Sequence, residues 1–311
     1  MEVDALAIHY HRIGFAQQLV FDNDTRDALH LIHASGRGMG ARIPAGWIAF
    51  LMPLSGRLRL ESQDIGWSLS RRRALLWREG QLHCVAHAQS LWLSLCGPAS
   101  AWSRYIGASC DGPTPDLFPS EIACTRDLRR LLVRMARIAE GPPQERDAMA
   151  TLAKAFCSAL VDSQADLQAR VKRCSGRTLR RRQQNLLRLL RVRLLIQSHQ
   201  SGRLDLERLA RAASYSPCHL IRAYREAFDE TPSEYAARLR FDRAWILVRE
   251  TQTPICEIGE ALGFESQSAF CRAFKHTYGV TSTQARRLDS APITQIPANA
   301  PRRLESKPKF G

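Results

Sequence analysis

Two clusters of side chains, fifty positions apart, carry the groups needed to read the edges of nucleic-acid bases. In the first, Leu220, Tyr224 and Phe228 recur every four residues and so share one face of a helix. With that face turned to a core, Cys218, His219, Ile221, Arg222 and Arg225 are left on or beside the open side. An exposed isoleucine next to an arginine is poor for solubility, but it suits a groove, where apolar side chains meet thymine methyls and arginine forks to guanine. In the second cluster Phe270, Phe274 and Tyr278 keep the same period. There the open side holds Gln267, Ser268, Cys271, Arg272 and Lys275, with Glu265 as the acid nearby. That set can bond both bases and phosphates.

Each cluster needs a short helix and a turn to hold it. Leu204, Leu206, Leu209 and Ala210 make one such helix, which Asp205 can cap; Ser214-Tyr215-Ser216 interrupts it, and Pro217 begins the next. The pattern repeats with Ile255, Ile258 and Leu262, the turn Gly263-Phe264-Glu265, and Ser266 as a cap. Between the copies, Thr231-Pro232-Ser233 leads into a connecting helix over residues 234–250, with Tyr235, Leu239, Ala244, Leu247 and Val248 on one side. At about 1.5 Å per residue it spans roughly 25 Å, near the roughly 34 Å of one DNA turn. Two helices could then enter successive major grooves.

These residues resemble the DNA-binding domain of the AraC/XylS transcription regulators. The likeness rests on Leu209-Ala210, Ser216-Pro217, Leu220, Arg222, Tyr224, Tyr235, Arg238-Leu239-Arg240, Ala244, Ile255 and Ile258. Its strongest block runs from Gly263 to Lys275, followed by Tyr278-Gly279-Val280-Thr281. The resemblance covers about the last third of the chain and implies seven helices with two tandem recognition helices on promoter DNA. By position it makes Cys218, Ile221, Arg222, Gln267, Ser268, Cys271 and Arg272 base readers, and Ser216, Ser266 and Lys275 phosphate contacts. Ser214 stands where a turn glycine is usual, Gly259 where a small alanine is usual, and Ser282 and Ala285 where a proline and an aromatic are common. The last two changes predict weaker packing of the terminal helix.

The chain as a whole reads as α+β, with a β domain and helical hairpin ahead of the all-α domain that holds the two helix-turn-helix units. From His30 to about Leu95, short apolar runs alternate with turn residues: Ala45 to Leu54, Arg57 to Leu60, Trp67 to Leu69, Ala74 to Trp77 and Leu91 to Leu95. Such a series suggests a small barrel or sandwich, and members of the resembled family commonly carry a cupin-like β-barrel there. Leu128, Leu131, Leu132, Met135 and Ile138, then Leu152, Ala155, Phe156, Ala159 and Leu160, predict a helical hairpin that packs on the barrel or on a second subunit. The expected division is a sensor or dimerisation domain over 1–170, a basic linker over 171–185, an AraC-type domain over 186–290 and a disordered tail over 291–311.

Composition narrows the partners. The chain has 45 Lys and Arg against 30 Asp and Glu, a formal charge of +15. Residues 1–170 hold 19 basic and 17 acidic residues, whereas 171–290 hold 22 and 12, so the excess lies with the recognition helices and their basic lead-in and points to duplex DNA. The longest nearly apolar stretch, Pro44 to Leu54, is well short of the roughly 20 residues of a membrane span. Met1-Glu-Val-Asp has acids where an export signal has bases, so a cytoplasmic protein is expected.

Nine cysteines form no C-x-x-C pair and read as reduced thiols, and no structural metal or other cofactor is expected. His30 with His33, and His83 with His87, lack a His-x-His pattern and are taken as incidental. If the barrel binds an effector, Trp47, Trp67, Trp77 and His83 could supply an apolar wall with a polar handle; the alternative for the tryptophans is core. The expectation is therefore a non-enzymatic transcription regulator, an activator by family habit, homodimeric, sensing a small molecule and contacting RNA polymerase. The alternatives are a regulator controlled by a partner protein and a cupin-type enzyme fused to a DNA-binding domain.

Overall fold

The computed structural model describes residues 8–21, 28–62, 65–108, 115–142, 147–198 and 205–287. The chain divides into two compact units, Met1–Leu194 and Leu195–Gly311.

In the first unit eleven strands are described: β1 (Ile8–Ile13), β2 (Gln18–Val20), β3 (Leu29–Gly36), β4 (Met39–Ile43), β5 (Trp47–Ser55), β6 (Arg57–Ser62), β7 (Ile65–Ser70), β8 (Arg73–Trp77), β9 (Leu82–Ala86), β10 (Ser90–Pro98) and β11 (Ser120–Ala123). They pair as two sheets, β1-β3-β10-β5-β8-β11 and β2-β4-β9-β6-β7. The reason is visible in the side-chain alternation. In β5, Trp47, Ala49 and Leu51 join one core while Ile48, Phe50 and Met52 join another, so this strand is apolar on both faces. In β6 only Leu58 and Leu60 are buried apolar residues, and Arg57, Arg59 and Glu61 face solvent. The six-stranded sheet is thus the central layer, with the five-stranded sheet on one face. The expected β domain is present, but its described strands form two packed sheets rather than one closed ring.

The other face of the central sheet carries the helices α1 (Ala99–Gly107), α2 (Arg126–Glu140) and α3 (Asp147–Ser163). Leu128, Leu132 and Met135 of α2 and Leu152, Phe156 and Leu160 of α3 are buried there, which is the predicted hairpin. Phe50 of the sheet meets Phe156 edge-on at 5.1 Å between ring centroids. Strands β1, β2 and β11 and helix α1 go beyond the elements expected from sequence.

Two further helices follow, α4 (Ala165–Val171) and α5 (Leu179–Ser198). The segment 171–185, expected as a basic linker and as solvated over 172–182, is mostly exposed and carries contacts of its own. Residues 179–185 are helical, Cys174 is buried, and the nearly buried Asn185 donates from Nδ2 to the Ser175 carbonyl at 2.7 Å.

The second unit contains α6 (Leu206–Ala213), α7 (Pro217–Phe228), α8 (Pro232–Glu250), α9 (Ile255–Ala261), α10 (Gln267–Tyr278) and α11 (Ser282–Arg287). Leu204 and the tail 291–311 lie outside the described residues.

Candidate nucleic-acid interface

Side-chain caps start α6, α7 and α10: Asp205 and Ser266 as the sequence suggests, and Ser216, which the sequence reading placed only in the turn. Asp205 Oδ1 accepts from the Arg208 amide at 3.0 Å, opening α6. Ser216 Oγ accepts from the His219 amide at 3.3 Å at the start of α7, and Ser266 Oγ accepts from the Ala269 amide at 3.1 Å at the start of α10. Each serine still has a hydroxyl proton that can be given to a phosphate oxygen, so one side chain can end a helix and take part in backbone contact.

The inward faces hold the helices at fixed angles. Leu220, Tyr224 and Phe228 of α7 are buried, as are Phe270, Phe274 and Tyr278 of α10. Between α7 and α9, α8 is secured at its start by a reciprocal capping box: Thr231 Oγ1 accepts from the Glu234 amide at 3.2 Å, and a Glu234 carboxylate oxygen accepts from the Thr231 amide at 2.7 Å. That amide, together with the Thr231 side chain and Arg225, holds the Glu234 carboxyl below its ordinary range. At about 1.5 Å per residue the nineteen residues of α8 are roughly 28 Å long.

What remains outward is close to the expected set. Cys218, His219, Ile221, Arg222 and Arg225 of α7 are exposed, and His219 packs its ring 4.6 Å from that of Tyr215. On α10, Gln267, Ser268, Arg272 and Lys275 are exposed. Cys271 departs from this set. It is half-buried against the second unit's core, with Sγ 3.7 Å from the Ser282 hydroxyl. Glu226 is also exposed on α7, an acid the sequence reading did not weigh.

The departures from the family pattern acquire physical reasons. Ser214 adopts the left-handed conformation, φ 55°, at the end of α6, where glycine would be free of strain. An added Cβ at Gly259 would lie 3.2 Å from Phe270 Cβ, so the bulky ring takes the space an alanine would use. The terminal helix compensates for its missing proline and aromatic in two ways. Thr281 and Gln284 cap it reciprocally, and Arg286 Nη2 donates to the Thr253 carbonyl at 2.6 Å while its Nε donates to that of Val248.

The residues suggested for an effector pocket are only partly brought together. Trp47, Trp67 and Trp77 all lie in the core between the two sheets, Trp67 and Trp77 with ring centroids 5.4 Å apart. His83 does not join them. It alternates with the inward Leu82 and Cys84 and faces the opposite side of its sheet. The buried histidine of this interior is His30, stacked on Trp47 at 5.1 Å and with Nδ1 2.9 Å from His11 Nε2. The sequence reading took His30 as incidental, and its contact with His11 rests on the pairing of β1 with β3, which is non-local.

On the same inner face Trp92 Nε1 is buried with no hydrogen-bond partner among the described residues, close in sequence to buried Ser94 and Cys96. Burial raises the Cys84 and Cys96 thiols, which keeps both protonated. No group of three or more His, Cys, Asp or Glu able to hold a metal ion occurs among the described residues, and no described helix is long and apolar enough to cross a membrane.

Known proteins match the helical region that carries α7 and α10. A helix-turn-helix domain family matches residues 209–288. The probable transcriptional regulator LumQ of Photobacterium leiognathi is 29% identical over 89 residues, which are 29% of this chain and 36% of that protein. The HTH-type transcriptional regulator CdhR of Pseudomonas aeruginosa is 36% identical over 67 residues, 22% of this chain and 20% of that one. The match therefore spans about a third or less of these relatives. Among solved structures, the C-terminal domain of the response regulator AraT from Geobacillus stearothermophilus is 30% identical, covering 35% of this chain and 90% of that one, with a TM-score of 0.31. ToxT of Vibrio cholerae bound to an unsaturated fatty acid is 12% identical, covering 85% of this chain and 96% of that one, with a TM-score of 0.30.

Proposed function

We propose that this chain, whose residues 209–288 form an AraC-type helix-turn-helix domain, regulates transcription by binding promoter DNA with α7 and α10 in successive major grooves. The observation that carries the reading is the repeat itself. Two capped helices with buried aromatic faces turn Ile221 and Arg222, and Gln267, Ser268 and Arg272, to solvent, joined by a helix of nearly the length of a DNA turn. Arg222 and Arg272 fork to guanine, Gln267 pairs with adenine, and Ile221 meets a thymine methyl. Ser216, Ser266 and Lys275 set the register on phosphates. Cys218 sits at the edge of the first reading surface and Cys271 behind the second. Activation through contact with RNA polymerase is the mode proposed, with the first unit as regulatory module and site of homodimer formation.

Genome-wide occupancy would identify a bound duplex, and footprinting of that duplex with variants tests the reading. Arg222→Ala and Arg272→Ala should each cost about 1–3 kcal/mol and relax preference at separate base pairs. Unchanged affinity and footprint in both would remove these helices from the interface.

For the first unit, small-molecule sensing is favoured over control by a partner protein by the inner face of the sheets. The Trp92 indole N–H, without a partner among the described residues and on the face that carries buried Ser94 and Cys96, is a polar feature that an apolar core does not need. A metabolite panel that leaves DNA affinity and dimerisation unchanged would favour the partner instead.

A further inference from the structure

Beyond the two recognition helices, the molecule carries a concentrated charge that the proposed readout does not use. Between Asp166 and Asp205 the chain has no acid. The structure sorts the cations of this stretch. Arg170 pairs with Asp166, Arg191 with Glu79, and Arg182 donates to the Gly176 carbonyl at 2.8 Å. Lys172, Arg177, Arg180 and Arg181 are exposed and have no ion pair among the described residues.

These four are not strewn along a loose strand. The turn before α5 is tied back to that helix by the Arg182 and Asn185 hydrogen bonds and by Thr178 Oγ1, which accepts from the Arg181 amide at 3.2 Å. It packs so closely that a Cβ added at Gly176 would lie 3.1 Å from Arg181 Cγ. A solvated basic surface ordinarily intersperses acids, because fixed like charges repel. Here the backbone that bears the cations is held by these bonds, so these four positive charges are presented to solvent with no acid in the surrounding sequence, a charge that an array of phosphates would complement.

We infer that Lys172, Arg177, Arg180 and Arg181 form a sequence-independent contact to the phosphate backbone of duplex DNA, additional to the contacts of α7 and α10. The inference rests on the reading of the chain as a DNA-binding regulator. Its signature is electrostatic: each phosphate neutralised releases counterions and adds about 0.9 to the slope of log affinity against log salt. The cluster contributes to affinity on any sequence and nothing to discrimination between sequences.

The test uses the full chain with a random-sequence duplex, titrated between about 50 and 200 mM salt. The variant K172Q/R177Q/R180Q/R181Q should have a slope shallower by about 2 to 4 and bind roughly tenfold or more weakly at about 0.1 M salt. Exchanging lysine and arginine at the four positions should keep the slope, since charge is retained; a shallow slope in that variant would instead indict local folding and overturn the inference. Arg222→Ala and Arg272→Ala on the footprinted duplex form the second arm. If they weaken specific binding while the fourfold variant keeps the wild-type slope, this inference fails and the regulator reading stands. If the wild-type chain binds no duplex, both fall. The exposed Leu179 beside the cluster is what a lipid surface would use, so vesicles with and without an anionic phospholipid form the third arm. A variant defect confined to anionic vesicles would overturn the DNA contact.

Discussion

The two helix-turn-helix units share a plan and differ in what fills them. The second is built on aromatic rings: Trp245 lies parallel to Phe274 at 5.9 Å, Phe274 meets Tyr278 at 4.8 Å, Phe270 meets Phe264 at 5.3 Å, and Phe241 contacts both Phe264 and Tyr278. The first relies on Leu209, Ala213, Leu220, Ala223 and Ala227, with Tyr224 and Phe228 as its rings in α7. Their outward faces differ too. The first offers an isoleucine and arginines, the second a glutamine, a serine, an arginine and a lysine. A duplicated scaffold has thus been filled and faced independently in each copy. The half-sites read by one chain should therefore be unlike in sequence, and a palindrome within a single chain's footprint would contradict that.

The largest expected effect breaks the aromatic unit. Phe274 is fully buried and contacts Trp245, Phe270 and Tyr278, so Phe274→Ala should destabilise by about 3–5 kcal/mol. Leu209→Ala in the first helix-turn-helix removes a smaller side chain at the core's margin and should cost about 2–3 kcal/mol. Denaturant unfolding of the full chain followed by circular dichroism of its helices compares the two; equal losses would mean that the aromatic network adds nothing beyond ordinary burial.

The turns sharpen the comparison because substitution should have opposite signs in the two units. Gly263 has φ +74° and Ser214 φ 55°, so both turns need the left-handed region, and only the second has the residue that occupies it without strain. Gly263→Ala should destabilise by about 1–2 kcal/mol. Ser214→Gly should stabilise by up to about 1 kcal/mol, the relieved strain being partly offset by the greater freedom of the unfolded glycine. Midpoints of thermal unfolding that move the same way in both variants would refute this account.

How much of this could be read in the sequence follows from how local each cause is. Asp205 and Ser266 cap helices through bonds three residues away, so type and spacing suffice to find them, and Ser216 does the same before Pro217 although the sequence marks it first as part of a turn. The strands β5 to β8 and β10 were legible from apolar runs and alternation. Strand β1 was not: Ile8 to Ile13 reads as mixed polar residues, and only parallel pairing with β3 makes it a strand. The same distance hid the His11 and His30 contact and the outward aim of His83, since the face on which a side chain falls depends on strand register. The helical start of α5 within the basic linker was hidden for a related reason. Charge density suggested a linker, while order came from a few hydrogen bonds of Arg182 and Asn185 to a turn six to ten residues away.

The smallest expected effect concerns the junction between the two units. Glu234 is largely exposed, and its carboxyl is held below the ordinary range chiefly by the Thr231 backbone amide. A carboxylate with a depressed folded-state pKa contributes stability that is fully present above its unfolded value, near 4.3. That contribution is lost as pH falls through the lower folded-state value, because the unfolded chain then binds the proton more readily. With solvent screening, the capping carboxylate should be worth no more than about 0.3–1 kcal/mol. Stability of the wild-type chain relative to Glu234→Gln should therefore be greatest near neutral pH and shrink below about pH 4. Since α8 joins two otherwise independently filled units, the same substitution should weaken binding to a duplex carrying both half-sites more than to one carrying either alone. Equal weakening on all three duplexes would mean that the capping box stabilises α8 without setting the spacing of α7 and α10.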